Sequence, residues 1–126
     1  MAPTRRGLLA AAGLGAIPVG RTHAGDELHV QGRRLMAMLS GATSARRVAA
    51  AYLAGVGKTD MRRAALDLDM PAVLAPLDLI PGTTAARAWL GSRIRADFAT
   101  GEVVDVDGWR LSRTEVGACL LVAGVA

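Results

Sequence analysis

The sequence predicts a mainly α protein, a small helical bundle of four to five helices with one C-terminal β-hairpin. Three observations carry that reading. Asp107-Gly108 is a two-residue turn of the kind that favours positive φ at both central positions, and it sits between apolar residues in alternation. Ser112-Arg113-Thr114-Glu115 has the form of a capping box, in which the first side chain holds an amide of the new helix and the fourth reaches back. Ala86, Leu90, Ile94 and Phe98 recur at i, i+4, i+8 and i+12, a continuous row along one helix, widened by Trp89.

Taken in order, a first helix is expected from Asp26 or Glu27 to about Ser40. Leu28, Leu35, Met38 and Leu39 lie near one face, with Gly32 as a weak point and Gly41 as the stop. Ser44 is the expected cap of a second helix to about Ala54, with Val48, Ala51 and Tyr52 on a stripe, before Gly55-Val56-Gly57 breaks it. Thr59 is the expected cap of a third, running from Asp60 to about Leu68. Between Asp69 and Gly82, Pro71, Pro76 and Pro81 alternate with apolar residues, which suits a short helix from Pro71 to Leu79 or an extended apolar linker.

Thr83 or Thr84 is expected to cap the helix from Ala85 to about Ala99, with Arg87, Arg93, Arg95 and Asp97 on its wet side. Gly101 ends it. In the hairpin that follows, Val106 faces Trp109, Asp105 faces Arg110 and Val104 faces Leu111. A last helix, Arg113 to about Ala123, is apolar nearly all round and needs cover from the other helices or from a partner.

Composition narrows the function classes. Apolar residues make up 52% of the chain, yet only Tyr52, Trp89, Phe98 and Trp109 are aromatic, so the core rests on Ala, Leu and Val. Three of the 15 Lys and Arg lie before residue 25, leaving 12 against 11 acidic groups in the rest. That near balance gives no reason to expect nucleic acid as a partner.

Residues 1–24 read as an address, and 25–126 as one small helical domain. A short basic region precedes a mildly apolar stretch, Gly7 to Val19, which is too short for a membrane-spanning helix. No stable membrane span is expected in the mature chain. Thr22-His23-Ala24 fits cleavage after Ala24. Thr4-Arg5-Arg6-Gly7-Leu8-Leu9 resembles the twin-arginine (Tat) signal, with Arg5 and Arg6 as the paired arginines and Leu8 and Leu9 as the apolar positions. The lysine common at the next position is Ala10 here. The resemblance implies export through the Tat translocase to the periplasm, with that translocase as a transient partner.

Catalytic or metal-binding patterns are not visible. Past the signal His29 is the one histidine, with no cysteine near it, and it reads as a helix-surface residue. Asp67 and Asp69, two apart, do not share a helix face. Asp105 and Asp107 are explained by Arg110 and by the turn. Gly57-Lys58-Thr59 ends like a phosphate loop, but that motif requires a glycine where Tyr52 stands. Cys119, within an apolar run, reads as a small buried hydrophobe. Ser112 and Thr114 have no base in view, so no catalytic residue and no cofactor is expected.

From Ile94 to Glu115 the chain resembles a group of small Tat-exported bacterial proteins of uncharacterised function. The shared positions are Asp97, Phe98, Gly101, Val104, Val106, Asp107, Gly108, Trp109, Leu111, Ser112, Thr114 and Glu115, and Ala51, Tyr52 and Leu53 look like part of the same pattern. The resemblance implies export and no reaction. Because Tat carries folded proteins, the leading expectation is a small accessory or interaction protein, the small subunit of a Tat-exported oxidoreductase complex, working with a larger exported enzyme subunit. The small subunits of membrane-bound flavin sugar dehydrogenases are similar in being short and Tat-targeted, by analogy alone. The alternative is a free-standing periplasmic binding or structural module. The candidate interface is Trp109 with Leu120 and Leu121 of the last helix. Packing of Trp109 against Phe98 and that helix is the favoured role for the indole, an exposed binding anchor the other.

Overall fold

A computed structural model describes residues 17–39 and 41–125, with side chains from Glu27 onward. Arg5, Arg6, Leu8 and Leu9 of the signal motif lie outside the described residues. Six α-helices, one 3-10 turn and one hairpin are found among those described: α1 (Ile17–Met38), α2 (Ala42–Val56), α3 (Met61–Asp67), α4 (Met70–Val73), the 3-10 turn (Ala75–Leu79), α5 (Thr83–Thr100), β1 (Val103–Val106), β2 (Trp109–Ser112) and α6 (Arg113–Val125). The mainly α class and the C-terminal hairpin are as the sequence predicts.

Helix α6 is the hub. The other five helices and both strands pack directly on it. Val116, Gly117, Ala118, Leu120, Leu121 and Val122 are all buried, so this helix is covered from within the chain. Two glycines permit the close approach. A Cβ on Gly32 of α1 would stand 2.7 Å from the Leu121 carbonyl oxygen, and one on Gly117 would stand 2.1 Å from the Met70 sulfur. Gly32 is therefore the crossing point of α1 and α6, rather than a weak point in its helix.

The helix starts depart from the expected ones. α1 begins at Ile17 and runs without a break through Ala24 and Gly25. Gly41 precedes α2 and Gly82 precedes α5, each at positive φ and without a side-chain cap, so Ser44, Thr83 and Thr84 do not act as caps. The cap of α3 is Asp60 rather than Thr59; its Oδ1 accepts the amides of Arg62 at 3.0 Å and Arg63 at 3.3 Å. α2 continues through Gly55 and stops at Gly57, whose left-handed backbone lets the Lys58 amide reach back to the Leu53 carbonyl at 2.9 Å.

The proline-rich stretch divides in two. α4 and the 3-10 turn meet at Leu74, because Pro76 has no amide with which to continue an α-helical ladder. Met70, Leu74 and Leu77 still fall inside, which anchors the stretch to the core.

Three arginines tie these pieces together by donating to carbonyls at the ends of other elements. Arg113 donates to Leu68 O from Nε (3.1 Å) and from Nη2 (2.9 Å). Arg87 donates to Met38 O at the end of α1 from Nε (3.2 Å) and Nη2 (2.8 Å). Arg34 donates to Leu77 O and Ile80 O around the 3-10 turn. Leu68 O and Met38 O stand at helix ends, where carbonyls lack an intrahelical partner, while Leu77 O accepts from Arg34 in addition to the Ile80 amide.

Candidate functional site

The hairpin is built as its residues dictate. Asp107 (φ 51) and Gly108 (φ 86) form the turn, and β1 pairs with β2 antiparallel in the register Val103↔Ser112, Val104↔Leu111, Asp105↔Arg110 and Val106↔Trp109. Asp105 and Arg110 form an ion pair at 3.5 Å. The capping box closes in both directions. The Glu115 amide donates to Ser112 Oγ at 2.9 Å, and the Ser112 amide donates to Glu115 Oε1 at 2.8 Å.

A third brace comes from α5. The amide of Thr114 donates to Asp97 Oδ2 at 2.8 Å, and Asp97 is only 1% exposed. The sequence places Asp97 on the wet face and Phe98 in the core row. The structure reverses them: Phe98 is 46% exposed. The last turn of α5 runs beside the start of α6, where free amides attract a carboxylate more strongly than the core attracts a ring. Arg93 lies 3.4 Å from Asp97 Oδ1, a charge contact without hydrogen-bond geometry. At the far end of the hairpin, Arg113 pairs with Glu102 at 3.2 Å.

On this braced hairpin Trp109 is 74% exposed. Its packing against Phe98 and α6 is thus overturned in favour of the open position. A hollow of about 320 Å³ lies between the hairpin and α2, lined by Arg47, Val48, Ala51, Val106, Asp107, Trp109 and Leu111. The other two candidate interface residues are not there. Leu120 (1% exposed) and Leu121 (5% exposed) are core residues, reached from outside only at the floor of the separate cleft beside His29. Arg47 and Val48 are the additions that the sequence does not single out. Val48 reads there as a core-stripe residue, and nothing local places α2 beside the hairpin.

The remaining sequence candidates are dispersed. His29 is exposed and lines an open cleft of about 300 Å³ with Asp60 and Arg62 over Leu28, Leu120 and Leu121. Ser112 is not in that cleft but buried at the foot of the hairpin. Asp60 is engaged as the α3 cap. Cys119 is half-buried; burial, reinforced by the negative charge of Glu115, pushes its thiol up to about 11. Asp67 is held below its usual value, chiefly by its hydrogen bond from Lys58. Among the described residues no group of three His, Cys, Asp or Glu is placed to hold a metal, and no helix is long and apolar enough to cross a membrane.

No protein-family model matches the chain, and neither a curated protein nor a solved structure matches it significantly.

Proposed function

We propose that this chain is a small accessory protein, exported to the periplasm by the Tat translocase, that works by contact with a larger exported enzyme subunit, an oxidoreductase being the partner class. The single observation that carries the contact role is Trp109. An indole held open to solvent, on a hairpin fixed by a turn, a capping box and a buried carboxylate, is a rigid anchor of the kind that dominates interface energetics. Export is supported by Thr4-Arg5-Arg6-Gly7-Leu8-Leu9 and its resemblance to the twin-arginine signal.

A second reading, a free-standing periplasmic binding module, is favoured by the size of the hollow, which falls at the small end of ligand pockets. Fractionation of the native cell followed by native mass measurement of the tagged chain separates the two. The accessory role requires a stoichiometric complex with a larger protein in the periplasm, and retention in the cytosol of an Arg5→Lys, Arg6→Lys variant. A periplasmic monomer throughout points to the binding module, and a cytosolic location of the unaltered chain overturns both.

A further inference from the structure

Resting on the export reading, we infer that folding itself closes the expected cleavage site. The bond between Ala24 and Gly25 lies inside α1 and is cut only when the turns before Leu28 unwind, so the folded chain keeps residues 1–24 attached until then. Thr22-His23-Ala24 sets the bond on the sequence side, and α1 (Ile17–Met38) crosses it about two turns from its own start. A peptidase draws its substrate out as an extended strand and pairs with the amides and carbonyls on both sides of the bond. In a helix those same groups are bonded to partners four residues away.

The bundle holds α1 in that state from the carboxyl side. Leu28, one turn beyond Ala24, is the first of the described side chains of α1 to be buried, and Gln31, Leu35 and Met38 follow it inward. Extending a helix from a turn already fixed costs far less than starting one, so the docked Leu28 turn seeds the turns that carry the cleavage site. Gly20, Thr22 and Gly25 are poor helix formers, which makes these turns the first part of α1 to open. The cutting rate of the folded chain then follows their open fraction. The cut adds water across the bond, leaving a carboxylate on Ala24 and an amine on Gly25. α1 carries no acidic residue in its first turn, whereas Asp26 and Glu27 stand in the first turn of what remains, where carboxylates suit the helix dipole and offset the new amine.

The test incubates the full chain, folded and purified with residues 1–24 in place, with signal peptidase in detergent micelles, and times the cut by intact mass. Gly25→Ala offers the enzyme a residue nearly as small but gives the helix a better former, so cutting should slow about fivefold. Asp26→Pro leaves Thr22 and Ala24 untouched and moves the favoured helix start past the bond, so cutting should rise at least about tenfold. Circular dichroism shows whether the bundle of each variant is intact; if Asp26→Pro unfolds, Gly25→Ala decides alone.

Cutting after Ala24 at one rate in the unaltered chain and both variants, or faster cutting of Gly25→Ala, overturns the gate and leaves the address standing. A folded Asp26→Pro chain that is never cut after Ala24 removes the cleavage site and the gate with it. Export itself is judged apart from these, by the fractionation of the Arg5→Lys, Arg6→Lys variant.

Discussion

Asp97, near the end of α5, caps α6 from a different element: its Oδ2 accepts the Thr114 amide at 2.8 Å in a fully buried setting. The hub helix is thereby fastened at its first turn by its own Ser112 and by a carboxylate from a neighbouring helix. Asp97→Ala is expected to destabilise the fold by about 1–3 kcal/mol, the usual cost of stranding a buried hydrogen-bonding group, with Asp97→Asn costing less because it keeps an acceptor. Urea unfolding followed by circular dichroism measures both. Equal midpoints for Asp97→Ala and the unaltered chain would remove the brace.

Gly117→Ala is expected to destabilise, since its Cβ would meet the Met70 sulfur at 2.1 Å and the fully buried Met70 side chain would have to shift. Overpacking of this kind costs roughly 1–3 kcal/mol. Met70→Ala should recover part of the loss in the double variant, although it is itself destabilising. Thermal melts of the two single variants and the double variant show whether their effects couple or merely add.

Arg113 joins the Leu68 carbonyl at the end of α3 to Glu102 at the foot of the hairpin. Lysine lacks the planar fork needed for all three bonds, so Arg113→Lys should destabilise nearly as much as Arg113→Ala. Hydrogen exchange of the α3–α4 amides is the matching local readout; if it is unchanged in Arg113→Lys, charge alone suffices there.

Cys119 titrates near 11 in the folded chain, against an ordinary value of 9.0. At pH 8 its thiolate fraction is therefore about a hundredfold lower than that of an unperturbed thiol, and alkylation should be slow until the chain is unfolded in urea. The sign for stability follows from the raised value. The contribution is fully present below the unfolded pKa and lost as pH rises from about 9 through about 11. Cys119→Ala should flatten that alkaline loss. An alkylation rate equal in folded and unfolded chains would contradict the burial.

What the sequence reveals and conceals follows the range of the interactions. Asp107-Gly108, the Asp105–Arg110 pair and the Ser112–Glu115 box are complete within a few residues of chain, and each forms as read. Asp97 and Phe98 exchange places because the amides awaiting a carboxylate belong to another helix, which no periodicity within α5 reports. Gly32 looks like a defect until α6 is laid against it. The start of α2 shows the same limit: Ser44 has the side chain of a cap, but the helix begins before it, at Ala42. Trp109 is an apolar residue at an inward-looking register position, and its exposure depends on how far α2 stands from the strand. The hollow itself joins α2 to the hairpin and is invisible in either alone.

The position of α6 as hub also sets an order of events during synthesis. It is the last of the described elements to leave the ribosome, and the surfaces that α1 to α5 bury against it have no cover until it emerges. Closure of the bundle must then follow translation of its final helix, so the nascent chain exposes leucine and methionine side chains throughout its elongation. A machinery that accepts only finished folds would have to wait for that last helix before moving the molecule at all.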